Sequence, residues 1–275
     1  YITEHLLSCK DLVAGVYRLD FSSVGDEERF RNVVLHVSIG RYQPSEGRAV
    51  ELHVAVKLYT KCVGHCGGNP LTALRMLEGF VSLTPGDWVV QNASNSGVGR
   101  CIIQLAREMG VKTVNFVRRP DELRDELTAL GADLVVGEDD EDVVKNTLAR
   151  LDGKRPVLAS NAVGGESALR LMDMLAPGGS MVTYGAMSRK SIKVPNGFLI
   201  FKGIKLEGLW VTQWLKNAPV PEIEAAYDKL ARLMADGRLK QAVDTVYPLS
   251  DVRRAVEKAQ EEFRSGKVVL SMERV

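Results

Sequence analysis

The chain has 275 residues, 45 % of them hydrophobic, with a formal net charge of +1. That suffices for one large domain or two smaller ones, and the interspersed acids and bases, with no basic block, argue against a nucleic-acid partner. No apolar run approaches the ~18 residues of a membrane span. Four cysteines, Cys9, Cys62, Cys66 and Cys101, are too irregularly placed for a disulfide framework and point to a reducing interior. The opening Tyr1-Ile2-Thr3-Glu4-His5 has no initiator Met and no signal or transit pattern, as expected of a processed or partial chain.

The first 66 residues read as β-rich. Val13 to Phe21 is a candidate strand, and Val33, Leu35, Val37 and Ile39 alternate with polar neighbours. Val50, Leu52, Val54, Val56 and Leu58 do the same against Glu51, His53, Lys57 and Tyr59, the pattern of half-buried antiparallel strands. Composition changes near residue 66. Cys62, His65 and Cys66 lie close together, but no second ligand pair follows, and Cys9, His5, His36 and His53 are scattered. Packing cysteines and a loop histidine are the expectation, with no metal site.

From Asn69 onward helices and strands alternate. Pro70 to Phe80 reads as a helix and Trp88 to Gln91 as a strand, followed by helix 97–109, strand 112–117, helix 121–130 and strand 133–136. A helix near 140–151, strand 156–160 and helix 165–175 come next, and Pro177-Gly178-Gly179 turns into strand 180–184. A strand from Ile204 to Trp210, helix 220–236, helix 250–264 and a strand from Lys267 to Ser271 complete the series. Short apolar strands separated by helices predict an α/β fold, a doubly wound parallel (Rossmann) sheet covered on both faces. The expected organisation is a β-rich region over 1–66, a nucleotide-binding domain over 67–215, and C-terminal helices and a strand over 216–275 that pack back on the N-terminal region.

The most informative stretch is Gln91-Asn92-Ala93-Ser94-Asn95-Ser96-Gly97-Val98-Gly99. It joins the strand ending at Gln91 to a helix whose Ile102, Ile103, Leu105, Ala106 and Met109 share a face. Strand, small-residue turn and helix present free backbone N–H groups and a helix N-terminus to a pyrophosphate. Gly97 and Gly99 leave room for close backbone approach. About 20 residues past the glycines, where an acid would select the ribose of NAD, the chain reads Phe116-Val117-Arg118-Arg119-Pro120. Two guanidiniums there suit the 2′-phosphate of NADP(H), although each could also be a solvated loop arginine. No G-x-S-x-G, Walker loop or H-E-x-x-H is present, so nucleophilic or metal chemistry has no motif behind it.

These residues carry a likeness. Gly68-Asn69-Pro70-Leu71-Thr72-Ala73, the turn at Asn92 to Gly99, Thr183-Tyr184-Gly185-Ala186-Met187 and Gly208-Leu209-Trp210-Val211-Thr212-Gln213-Trp214 together resemble the medium-chain dehydrogenase/reductases, and among them the mitochondrial 2-enoyl thioester reductases. The resemblance implies metal-free reduction of trans-2-enoyl thioesters of ACP or CoA by NADPH, in mitochondrial fatty acid synthesis. It implies Asn69 toward the nicotinamide end, and Asn95, Ser96, Gly97 and Val98 around the pyrophosphate. Arg118 and Arg119 would take the 2′-phosphate, with Tyr184, Ala186 and Met187 beside the nicotinamide. Leu209, Trp210, Val211 and Thr212 would line the cleft against the thioester, and Lys267 matches a cofactor-contacting lysine.

The family's catalytic tyrosine lies in an N-terminal barrel-like (GroES-like) domain, whose glycine-rich motifs are not recognisable here. Ile39-Gly40-Arg41-Tyr42 is the local echo of its Gly-x-Tyr loop, so Tyr42 is both the candidate catalytic tyrosine and, more simply, a surface tyrosine beside a turn. Trp210 is the second candidate at the reacting centre. The rival reading is a catalytically inactive homologue serving as a structural subunit of a larger mitochondrial assembly. A quinone or alkenal reductase would share the fold but not the pattern of residues 209–214. The family likeness further suggests a homodimer.

Overall fold

The computed structural model describes residues 15–18, 34–37, 56–59, 68–261 and 266–271. The chain divides into two units, residues 1–63 with 241–275 and residues 64–240. In the first, β1 (Gly15–Arg18), β2 (Val34–Val37) and β3 (Val56–Tyr59) form an antiparallel sheet in that order, pairing Tyr17 with Leu35 and Leu35 with Leu58. These strands sit inside the three stretches expected to form them.

The second unit opens with α1 (Asn69–Glu78), which has Pro70 in its first turn, where the missing N–H leaves no bond unmade. The chain continues through β4 (Trp88–Gln91), α2 (Gly97–Glu108), β5 (Lys112–Val117), α3 (Pro120–Leu130) and β6 (Leu134–Gly137). Next come α4 (Val143–Leu148), β7 (Leu158–Asn161), α5 (Gly165–Met174) and β8 (Ser180–Thr183). A short helix α6 (Asn196–Ile200), β9 (Lys205–Gly208), α7 (Val211–Asn217) and α8 (Val220–Ala235) complete it. Gly131 ends α3 at φ +109°, a left-handed residue that terminates the helix and feeds β6.

The six strands β4 to β9 are all parallel, in the order β6-β5-β4-β7-β8-β9. Successive side chains of each strand point to opposite faces and divide the core accordingly. Val89, Leu158 and Val182 face Leu71, Leu74 and Leu77 of α1 and Ile102 and Leu105 of α2. Trp88, Val90, Ala159 and Met181 face Val143 of α4 and Leu171, Met172 and Met174 of α5. The central strands β4, β5, β7 and β8 are buried on both faces, which is why strands such as Trp88-Val89-Val90 read as apolar runs, whereas the edge strand β9 is exposed.

Helix α8 sends Ala226, Leu230 and Leu233 into the cluster of α1 and α2. It therefore belongs to the second unit, and the segment expected over 216–275 divides at Lys240. The reason is the apolar surface of Leu74 and Leu105, which α8 covers. The remaining part of the first unit is β10 (Val243–Pro248), a 3-10 turn, α9 (Val252–Gln260) and β11 (Lys267–Ser271), with β10 and β11 parallel. β10, whose Asp244 and Pro248 break the strand pattern, and the short α6 and α7 are elements additional to those expected from the sequence.

Candidate dinucleotide site

From β4 the sheet grows outward through β5 and β6, and the chain then crosses back to β7 on the other side of β4. The connections after β4 and β7 consequently leave toward opposite faces, α2 on one and α5 on the other. They open a crevice at the carboxyl ends of the strands, the place where open α/β sheets bind ligands.

One side of the crevice is the turn into α2. Ala93 holds a positive φ of 49°, uncommon for a residue with a Cβ. Ser94 locks the turn, its N–H and Oγ meeting Phe116 O at 3.3 and 3.1 Å. Ser96 caps the helix, its Oγ accepting from Gly99 N at 3.1 Å. The N–H groups of Gly97 and Val98 are then among the first of the helix, with no carbonyl one turn earlier to receive them. A Cβ on Gly99 would stand 2.6 Å from Ser94 O and 2.8 Å from Ala93 O, and one on Gly97 would fall on Asn69 Nδ2.

Arg100 clamps the turn from behind: its Nε donates to Asn95 O at 2.9 Å and its two terminal nitrogens bond Glu126 of α3. The hydrogen bond from Arg100 holds the Glu126 carboxyl below the usual range, against the opposing effect of partial burial. The folded state therefore binds fewer protons than the unfolded state around and below the ordinary glutamate pKa. This pair contributes stability above that range, and the contribution is lost as pH falls through it. Replacing Glu126 with Gln is expected to flatten the acid limb of a thermal stability-versus-pH profile while leaving the neutral-to-alkaline limb parallel to wild type.

The floor is built from side chains at strand ends. Gln91 Nε2 donates to Gly99 O at 3.1 Å and to Asn115 Oδ1 at 2.8 Å, tying α2 to β4 and β5. Asn92 and Asn161, both fully buried, join the ends of β4 and β7, Nδ2 of Asn92 to Oδ1 of Asn161 at 2.9 Å.

The other side is the pair of loops after β7 and β8. Tyr184 N meets Asn161 O at 3.0 Å, Met187 N meets Ala162 O at 2.9 Å, and Ser188 donates to Val163 O through both N–H and Oγ. Gly185 lets this approach happen, since a Cβ there would lie 3.0 Å from Ala162 O. Next to it, Leu209 N donates to Thr183 O at 2.9 Å and Trp210 precedes α7 with 57 % of its surface exposed. The Arg75 guanidinium lies 4.6 Å over the Trp214 ring and 3.2 Å from Glu222, fixing α7 against α1 and α8.

The residues expected at the site fall as follows. Asn95, Ser96, Gly97 and Val98 form the turn, with the Val98 side chain in the core so that only its backbone faces outward. Asn69, expected toward the nicotinamide end, has its carboxamide over Gly97. Tyr184, Ala186 and Met187 follow β8, and Leu209, Trp210, Val211 and Thr212 follow β9; Met187 is exposed, whereas Val211 is buried. Arg118 and Arg119 follow β5, and Arg119 pairs with Glu122 at 2.7 Å. Lys267 opens β11 in the other unit, where its Nζ bonds Gln241. Tyr42 lies outside the described residues, as do Cys9, Cys62, Cys66, His5, His53 and His65. Among the described residues, no three His, Cys, Asp or Glu side chains gather as a metal site would need.

Asn92 and Thr183 stand in the motifs named above without a role of their own, and Asn161 stands in none. Their signal was present: polar residues closing otherwise apolar strands, at Gln91-Asn92, Ser160-Asn161 and Thr183.

Residues 97–232 match the family of zinc-binding dehydrogenases. With the sheet order and the Ser96-capped turn, this match makes the second unit similar to the medium-chain dehydrogenase/reductases. Among proteins of that class, the chain is similar to the mitochondrial enoyl-acyl-carrier-protein reductases. It is 44 % identical over 209 residues to the mitochondrial enoyl-acyl-carrier-protein reductase of Rattus norvegicus, covering 75 % of this chain and 56 % of that protein. A mutant form of enoyl thioester reductase from Candida tropicalis is similar in structure, with a TM-score of 0.66 and 29 % identity, over 75 % of this chain and 60 % of that one. The Etr1p complex with NADP and crotonyl-CoA is similar too, at a TM-score of 0.64 and 31 % identity over 74 % and 59 %. The chain thus spans little more than half the length of the curated relatives it matches.

Proposed function

We propose that this protein binds NADPH in the crevice between β4 and β7 and reduces trans-2-enoyl thioesters of ACP or CoA, in mitochondrial fatty acid synthesis. The observation that carries the reading is the turn at residues 92–99, which Gly99 lets pack tightly against α2 and which ends in a serine-capped helix N-terminus at the carboxyl end of β4. The first N–H groups of such a helix fit a pyrophosphate. When bound, the cofactor supplies the hydride for the β-carbon of the enoyl group.

In this reading Gly97 and Val98 N–H groups receive the pyrophosphate, with Asn95 and Ser96 around it and Asn69 toward the nicotinamide end. Arg118 and Arg119 hold the 2′-phosphate, for which Arg119 exchanges its partner Glu122. Tyr184, Ala186 and Met187 flank the nicotinamide, Leu209, Trp210, Val211 and Thr212 bound the acyl side and exclude water, and Lys267 is a further cofactor contact. Tyr42, within the β-rich first 66 residues, is the candidate proton donor to the α-carbon. Adding a trans-2-enoyl-CoA to the chain premixed with NADPH tests this: consumption of both supports the enzyme. Retention of NADPH without consumption would replace it with a non-catalytic subunit of a larger assembly.

The same reading includes a homodimer built on the free edge of β9. That edge strand is exposed, and beside it Ile200 and Phe201 are 70 % and 87 % exposed. Exposed apolar side chains clustered beside a sheet edge mark an interaction surface. Phe201→Asp is expected to convert a dimer to a monomer in sedimentation or light-scattering mass measurements, with the melting temperature of the nucleotide unit little changed. A monomeric wild type would dismiss this part alone.

A further inference from the structure

At the crevice, neighbouring strands send their chains to opposite faces, so the two sides have few backbone bonds in common. The last is Asn92 N to Ser160 O at 3.3 Å. Among the described residues, no backbone hydrogen bond joins residues 93–99 to residues 162–164. The crossing is made instead by the carboxamide of Asn92, which is 0 % exposed. Its Oδ1 accepts from Ala162 N at 2.7 Å, and its Nδ2 donates to Asn161 Oδ1 at 2.9 Å and to Ser167 Oγ at 2.7 Å. Asn161 Oδ1 also accepts from Val163 N and Gly164 N, at 3.2 and 3.0 Å, while its Nδ2 donates to Thr183 Oγ1 at 3.1 Å. The loop at 162–164 in turn carries Met187 and Ser188 through the bonds from their N–H groups to Ala162 O and Val163 O.

A buried polar network whose members are all bonded specifies one geometry, where an apolar contact would tolerate sliding. We infer that Asn92 is a positioning residue for the nucleotide, its carboxamide setting the spacing between the helix-turn side of the crevice and the nicotinamide side. This rests on the NADPH reading given above. The consequence is specific. A ligand that spans the crevice depends on Asn92, whereas a ligand held on one side does not.

The experiment compares the affinity of NADPH, which spans, with that of adenosine 2′,5′-bisphosphate, which occupies the adenine side only. Asn92→Asp keeps the size and the acceptor for Ala162 N but sets an oxygen against Asn161 Oδ1. It is expected to weaken NADPH about tenfold more than the bisphosphate, the loss of roughly one buried hydrogen bond. Ser167→Ala removes a bond of the same network that leads to α5, and is expected to lower the melting temperature while keeping the ratio within about twofold of wild type. Unfolded protein lowers both affinities together and cancels from the ratio. If Asn92→Asp shows no cooperative melt, Asn92→Ser, whose hydroxyl is too short to reach across, gives the same readout. An unchanged ratio in the Asn92 variant, or an equal change in Ser167→Ala, overturns the inference. Wild type that binds the bisphosphate but not NADPH, or neither, overturns the NADPH reading and this inference with it.

Discussion

Gly99→Ala is expected to weaken NADPH binding by about 100-fold or more and to lower unfolding stability by roughly 1–3 kcal/mol. The added methyl would stand 2.6 Å from Ser94 O and 2.7 Å from Ser94 Cα, so the obstacle is backbone. That backbone cannot yield locally, because the N–H and Oγ of Ser94 are bonded to Phe116 O and Ala93 already holds a positive φ. The helix must move off the turn, carrying the Gly97 and Val98 donors and the Ser96 cap with it. Gly97→Ala is the instructive contrast, since its methyl meets the end of the Asn69 side chain, which can rotate away. A chemical denaturation curve and an NADPH titration on both variants check the pair. Equal stability losses would mean that the turn is less tightly held than these contacts require.

The second large effect concerns the choice between nucleotides. Arg118→Ala with Arg119→Ala is expected to weaken NADPH by about 10²–10³-fold while NADH changes less than about threefold. Each charge-assisted bond to the 2′-phosphate is worth about 1.5–3 kcal/mol, and NADH has no such group. Both side chains follow β5, where the dinucleotide fold presents its ribose selector, and neither is buried in the core. Arg119 contributes less of the two, because it must give up Glu122 at 2.7 Å. Parallel fluorescence titrations with the two nucleotides measure the effect. A proportional loss for both would assign the arginines to fold maintenance instead.

Much of this was legible in the residues. Buried parallel strands announce themselves as apolar runs such as Trp88-Val89-Val90, and the helix from Gly97 shows its core face at Ile102, Ile103 and Leu105. The turn was legible because glycines and small polar residues between a strand and a helix have few other uses. What was not legible depends on tertiary partners. Nothing in the local sequence of Asn92 or Asn161 says that the two carboxamides meet, since they are brought together by the pairing of β4 with β7, far apart in the chain. Helix α8 was assigned elsewhere because an amphipathic pattern states which face is apolar and not which surface it covers. The short α6 and α7 escaped because a single turn or two carries too little periodicity.

The most direct test of the central claim is a calorimetric titration of the wild-type chain with NADPH and then with NADH. Saturable one-to-one binding of NADPH is expected, at least about tenfold tighter than NADH, from the phosphate contacts alone. No binding of either nucleotide, or equal binding of both, would contradict it.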